Sequence, residues 1–329
     1  MHAIDMHCDT LSLAFARQAR TGEPVDIYTM PGSVDLDRLH RAGAMAQFFA
    51  AFLPPAGRLK SRGIAPVSDM EYVETCARIL QSSVAAHSGI AAPARTAAEI
   101  RRNAAEGKVS AVFTVEDGRL VEGNPENLRH LYDLGVRALS LTWNYENCFG
   151  APNSTDPAVM SRGLTDFGKE AVVYMQQLGM LVDVSHLSDG GFYDVAARCK
   201  KPFVATHSNA RALAPHPRNL TDDMIHTLGS RGGVTGLNFY PLFLNRDPED
   251  RRGTAARMAE HARYIADRGG VDCVAIGTDF DGMSGELEIG SPLEMERLAW
   301  ALEKQHFTLD QIDKIFHGNV LRVMEDAVC

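Results

Sequence analysis

The fold class this sequence predicts is α/β: a (β/α)8 TIM-like barrel with a metal site at the C-terminal ends of its strands. Three observations carry that expectation. Two short apolar runs, Leu181-Val-Asp-Val-Ser-His186 and Phe203-Val-Ala-Thr-His207, each end in a histidine, and the histidines lie 21 residues apart. The segment between them, residues 187–202, has the length of one crossover helix, and such a unit sets its two strands parallel. Both imidazoles then belong at one edge of the sheet, the edge that carries active sites in α/β barrels. Secondly, eight strand-like runs mostly alternate with helical patterns along the chain. Thirdly, several of those runs end in His, Asp or Glu. Two core histidines satisfied by backbone groups would be the plain alternative for His186 and His207, but the repetition of strand-then-His disfavours it.

Composition fits this class. A length of 329 residues suits one barrel with inserted loops, so a single domain over residues 1–329 is expected. A hydrophobic content of 45% can fill a large core. The net charge of −9, with no Lys/Arg block, argues against a nucleic-acid partner. No run reaches transmembrane length. The first strand follows Met1-His2 almost directly, leaving no room for a signal peptide, and residues 322–329 carry no lipid-anchor tail. The six cysteines form no CxxC pair, which points to reduced thiols and a cytoplasmic location away from membranes.

Taken in order, the first strand is Ala3-Ile-Asp-Met-His-Cys-Asp9. By strict alternation Asp5, His7 and Asp9 share one face, and Met6 and Cys8 the other. Three polar groups on one face of an apolar strand are costly in a core unless paired or metal-bound, so His7 and Asp9 are candidate ligands. The second strand covers 44–52 and precedes a turn-rich loop to about Val67. Helices follow over 70–86 and 97–106. The third strand, 109–116, ends in Glu116 on the face of Val112 and Thr114. A helix over 127–134 leads to the fourth strand, 136–142, and then to a long polar loop, 143–163, of a length usually reserved for functional lids. A helix over 164–178 precedes the strand ending in His186. After His207 comes a loop with two arginines, 208–219, then a helix over 221–229 with Thr221 as N-cap. The seventh strand is 233–240, followed by a charged loop and a helix over 254–268. The eighth, 274–279, ends in Asp279-Phe-Asp281-Gly282. Helices over 292–304 and 309–327 complete the pattern.

The polar strand ends are therefore His7, Asp9, Glu116, His186, His207 and Asp279. Nitrogen and oxygen ligands without thiolate suit zinc in a hydrolytic site. Six such groups exceed the three that one catalytic zinc needs, and two metals roughly 3.5–4 Å apart would use them if one carboxylate bridges. Such a pair lowers the pKa of a bound water towards ~7 and polarises a carbonyl oxygen.

The sequences Asp5-Met-His-Cys-Asp9, Val115-Glu116-Asp-Gly118, Gly179-Met-Leu-Val-Asp-Val-Ser-His186, Thr206-His-Ser-Asn209, Arg218-Asn219, Ile276-Gly-Thr-Asp-Phe-Asp-Gly282 and Gly318-Asn-Val-Leu-Arg-Val323 occur in this order. Together they resemble the membrane (renal-type) dipeptidase family, zinc peptidases of the amidohydrolase superfamily. The resemblance implies two Zn2+ per chain, one held by His7 and Asp9, the other by His186 and His207, with Glu116 bridging. It implies that Asp279 moves the proton from the bridging water to the leaving amine, and that Arg218 binds the C-terminal carboxylate of a dipeptide. Asp281, one pleat further out, would orient a ligand or the substrate amine. Animal members carry a histidine in the loop after strand 4, where Trp143 and Asn144 stand here; Asn144 can donate to the developing oxyanion. The aromatic hydroxyl that those members offer the substrate is replaced by Phe243, just beyond Tyr240, itself a candidate substrate contact. The expected activity is hydrolysis of dipeptides, including those with a D-residue on the carboxyl side, by a homodimer. The alternatives are an amidohydrolase acting on N-acyl amino acids or other small amides, and a non-catalytic metal- or ligand-binding barrel.

Overall fold

The computed structural model describes residues 2–55 and 57–328. Eight parallel strands close on themselves: β1 Ile4–Cys8, β2 Ala46–Phe52, β3 Val109–Glu116, β4 Val136–Ser140, β5 Leu181–Asp183, β6 Val204–Ala205, β7 Val234–Leu237 and β8 Val274–Ile276. Each pairs with its successor, and β8 returns to β1 through Asp5 and Ile276. This is a (β/α)8 barrel. A short strand that the sequence does not announce, Ala91–Pro93, lies along the first residues of β3. Among the described residues no helix is long and apolar enough to cross a membrane.

Alternation along the strands splits the apolar side chains into two layers. Ile4, Met6, Phe48, Val112, Leu181, Val204, Val234 and Ala275 fill the lumen, and Val320, Leu321, Val323 and Met324 of the helix Asn319–Ala327 close its N-terminal end. The opposite faces, such as Phe49, Phe113, Leu139 and Val182, pack outward against the helices. Seven of the fifteen α-helices among the described residues begin where a Ser or Thr hydroxyl accepts an amide from the first turn. Ser68 serves Glu71, Thr96 serves Glu99, Ser188 serves Gly191, and Thr221 serves Met224 as expected. Gly135 and Gly179 end the helices Pro125–Leu134 and Asp166–Leu178 at positive φ, a conformation glycine adopts without strain, and turn the chain straight into β4 and β5.

The structure departs from the sequence expectation in three places. Between β1 and β2, where no helix is expected, stand Thr10–Thr21 and Leu36–Arg41. The helix expected over 309–327 is interrupted by a wider turn at Lys314–Gly318. Strands 5, 6 and 8 stop short of their terminal His or Asp, and strand 7 ends at Leu237 rather than Tyr240. Beyond Asp183 and Ala205 the backbone leaves the ladder, and the Asp183 carboxylate takes the amides of Ser185 and Thr206 instead. The long loop 143–163 is pinned by bridges from Gly150 to Leu164 and from Pro152 to Leu187, with Phe149 fully buried beneath it.

Candidate metal centre

β1 aims the first two candidate ligands through an irregularity. Ile4 pairs with Ala46 and Asp5 with Gln47, but the next pairing is Cys8 with Phe49, so β1 carries one residue more than β2. A bulge of this kind re-aims every side chain beyond it. Ile4 and Met6 point into the lumen, while Cys8 packs outside with Leu11 and Phe49. His7 and Asp9 consequently turn over the C-terminal mouth, and Asp5 does not join them. The strict alternation expected from sequence is broken here. Asp5 accepts Gln47 Nε2 at 3.0 Å and the amide and hydroxyl of Thr278, each at 2.8 Å.

A second buried carboxylate, Asp183, plays the same part under the other half of the site. It accepts the Thr206 amide at 2.9 Å, the Thr206 hydroxyl at 2.7 Å and the Ser140 hydroxyl at 2.5 Å. Each aspartate thus grips a threonine that immediately precedes a site residue on the neighbouring strand: Thr278 before Asp279, Thr206 before His207. The sequence reading missed both grips. The available signal was an Asp two or three residues ahead of a strand-end His, at Asp5-Met-His7 and Asp183-Val-Ser-His186.

These grips also fix the imidazoles. The single hydroxyl proton of Thr206 goes to Asp183, so Thr206 Oγ1 accepts from His207 Nδ1 at 2.8 Å. His207 Nε2 is then left with a bare lone pair, the form a metal needs. His186 Nδ1 stands 3.3 Å from Asn144 Oδ1, which only accepts, so its Nε2 is bare as well.

Glu116 lies between the two groups of ligands. Its Oε2 faces His7 Nε2 at 3.4 Å, while its Oε1 faces His186 Nε2 at 2.9 Å and His207 Nε2 at 3.6 Å. His7, Asp9 and Glu116 bring ligand atoms within 4.8 Å of one another, and so do Glu116, His186 and His207. Asp279 completes a third such group with His7 and His207. His7 Nε2 and Asp9 Oδ1 are buried without any hydrogen-bond partner among the described residues. Burying two polar atoms unpaired costs free energy that a shared cation would recover. The donor set and these orphan atoms fit a pair of divalent ions.

The electrostatics agree. Burial pushes Glu116 up to about 7 against the pull of His7, and Asp279 up to about 6 in the same way. Burial, then neighbouring positive charge, holds His186 and His207 well below the usual histidine value. On His7 burial acts downward too, but Glu116 and Asp9 outweigh it and raise the ring well above its ordinary value. The field that favours a proton there also favours a dication. Backbone strain concentrates at the same place: His186, Asp279 and Asp281 hold φ of 68°, 65° and 68°, where side-chain-bearing residues are rare. Gly282 must be glycine, because a Cβ there would stand 2.0 Å from Asp9 Oδ2.

The sequence pattern of the membrane dipeptidase family, peptidase family M19, matches residues 1–328. The chain belongs to this family. A protein of Klebsiella pneumoniae is 34% identical over 256 residues, which cover 76% of this chain and 93% of that protein. Among solved structures, a dipeptidase described as an M19 metallopeptidase superposes with a TM-score of 0.87 at 27% identity, covering 100% of this chain and 99% of the other. A metallopeptidase from Rhodobacter sphaeroides, liganded with a phosphinate mimic of the dipeptide L-Ala-D-Ala, superposes with a TM-score of 0.85 at 27% identity, covering 99% of each chain. The protein is an M19 dipeptidase, a metal-dependent hydrolase of peptide bonds.

In this dipeptidase the cluster floors a cavity of about 350 Å3, whose lining includes Arg218, Asn144 and Tyr240. Arg218 is buried rather than carried on the surface. Its Nη1 donates to Ser208 Oγ at 2.5 Å and its Nη2 to the His207 carbonyl at 2.9 Å, while its Nε has no partner among the described residues. Asn144 spends its oxygen on His186 and keeps its NH2 for the cavity. Phe243 does stand in the cavity wall, packed edge-on against Tyr240, yet Tyr240 lines the same cavity and keeps a phenol there. Asp281 lines the cavity too, but its oxygens accept Thr10 Oγ1 at 2.6 Å and the Ser33 amide at 2.5 Å, so it also ties the loop after β8 to the segment 10–33. His216 was missed from sequence. Its Nδ1 accepts the Arg218 amide at 3.1 Å, its ring packs on Phe243, and burial holds it down at about 4. It is therefore a neutral imidazole whose Nε2 carries the proton, lining the cavity beside Arg218.

Proposed function

We propose that this protein is a binuclear zinc dipeptidase, and that it accepts a D-residue on the carboxyl side of the scissile bond. One observation carries the two-metal reading: the two carboxylate oxygens of Glu116 face two different histidine groups. His7 and Asp9 would hold one ion, His186 and His207 the other, and Glu116 both. When bound, the ions would supply Lewis acidity towards the scissile carbonyl and would acidify a water. Asp279, oriented by Asn238 Nδ2 at 3.0 Å, takes the proton that this water loses as its oxygen bonds to the carbonyl carbon. The same carboxyl then delivers the proton to the amide nitrogen as the C–N bond breaks. Arg218 receives the substrate's terminal carboxylate through its unpartnered Nε–H and a free Nη–H, in the planar fork that suits a carboxylate. Asn144 Nδ2 and the Tyr240 phenol complete the polar contacts to the substrate. The liganded Rhodobacter sphaeroides relative supports the dipeptide and D-residue parts of this reading.

The test is a panel of dipeptides with L- and D-residues on the carboxyl side, run on protein loaded with zinc and assayed for metal content. Close to two zinc equivalents and turnover of dipeptides are expected. Full activity with a single equivalent would overturn the two-metal reading. A good dipeptide and its C-terminal amide should differ by about tenfold or more in kcat/KM, and Arg218→Ala should erase that difference.

A further inference from the structure

One part of the cavity is not used by the chemistry above. The loop after β2 forms the helix Arg58–Ser61, and Arg58 and Arg62 both line the cavity. Neither guanidinium has a hydrogen bond or ion pair among the described residues. Arg58 stands 5.5 Å over the ring of Phe52, which itself meets Trp143 edge-on at 5.0 Å. Unpaired arginines are unexpected on a chain with 42 acidic and 33 basic residues, where most other arginines find carboxylates or carbonyls. After burial, the positive charge of Arg58 is the next cause holding the basicity of Arg62 down, opposed by Tyr72 and joined more weakly by Arg20. Like charges held together with no carboxylate bonded to either make a site for an anion.

The barrel order says which part of a substrate that anion belongs to. Strands β2 and β6 are four steps apart in either direction round the barrel, so their following loops face each other across the mouth. Arg218 comes from the loop after β6. If it holds the terminal carboxylate, as proposed above, then Arg58 and Arg62 lie at the opposite end, beside the residue that carries the free amine. Phe52 pairs in register with Glu116 and gives the methylene stem of that residue an apolar wall next to the metal cluster.

We infer that this dipeptidase selects substrates with an acidic amino-terminal residue, Asp or Glu, whose side-chain carboxylate is bound by Arg58 and Arg62. The inference rests on the dipeptidase reading and adds a substrate class to it.

The experiment compares kcat/KM for the isosteric pairs Glu-Ala and Gln-Ala, and Asp-Ala and Asn-Ala, with Lys-Ala as a cationic reference, on zinc-loaded protein. The acidic member should lead its neutral isostere by about tenfold or more at low salt, and by less as ionic strength rises. In the double variant Arg58→Ala/Arg62→Ala the acidic-to-neutral ratio should fall to about one. In Arg58→Glu/Arg62→Glu the order should invert in favour of Lys-Ala. Turnover of Gln-Ala with no lead for Glu-Ala, or an unchanged ratio in the double variant, overturns this inference and leaves the dipeptidase reading standing. Turnover of none of the dipeptides overturns both.

Discussion

At the N-terminal end of the strands, Ile4, Met6, Phe48, Val112, Leu181 and Val204 meet the apolar face of the helix Asn319–Ala327, and Asn319 Nδ2 donates to the Val271 and Val274 carbonyls. At the other end of the same lumen stand three carboxylates and three imidazoles, with His7 Nε2 and Asp9 Oδ1 buried and unpartnered. The first region is made of contacts already complete in the folded chain. The second is complete only when something else arrives. Stability and function therefore reside at different heights of one barrel, and substitutions at the two heights should separate them.

The largest effect is expected at the shared carboxylate. Glu116→Gln should abolish turnover and leave less than one zinc equivalent bound, with thermal unfolding of the metal-stripped protein little changed; retention of both ions would remove Glu116 from its bridging place. Asp279→Asn comes next. It should keep its zinc and its fold but lose about 10²–10⁴ in kcat, and near-normal turnover in a zinc-replete sample would refute the proton-transfer role. At the lower height, Leu181→Ala should cost about 2–5 kcal/mol in denaturant unfolding while leaving zinc stoichiometry and KM as they are. A change in metal content there would mean that the two heights are coupled.

The smallest effect sharpens the comparison through a histidine of the ordinary kind. His261 is buried, accepts the Ala210 amide on Nδ1 and donates from Nε2 to the Leu244 carbonyl. Burial holds it down at about 4, against the pull of the Leu244 carbonyl and Glu260 and helped by Arg257. The unfolded chain takes up its proton near 6.5, before the folded one does. His261 stability is thus fully present above 6.5 and is lost as pH falls from there towards about 4, by at most about 3 kcal/mol. Urea midpoints measured across that window should slope less in His261→Gln than in the parent. Equal slopes would show that His261 does not set the acid limb.

Much of this was legible in the sequence, and the boundary has physical causes. Glu116, His186 and His207 could be found because apolar runs that stop at a ligand-type residue are a local pattern. His7 and Asp9 were found for a partly mistaken reason, since alternation grouped them with Asp5. The extra residue in β1 exists only in relation to β2, and no periodicity within one strand reveals it. Asp183 looked like an ordinary strand residue because its partners, Ser140 and Thr206, come from two other strands. His216 gave no signal because its tautomer is set by the backbone amide of Arg218, within an irregular loop.

The seam between β1 and β8 has a consequence for how the protein is made. Thr278 and His7, in contact across it, are separated by 271 residues. At translation rates of ~5–20 residues per second, the strand that leads into His7 and Asp9 waits on the order of tens of seconds for the strand that leads to Asp279. During that time one edge of β1 has no neighbour, and the lumen has no plug, because the helix Asn319–Ala327 follows later still. A nascent chain therefore carries an open sheet edge and half a ligand set for most of its synthesis, a form exposed to edge-to-edge association.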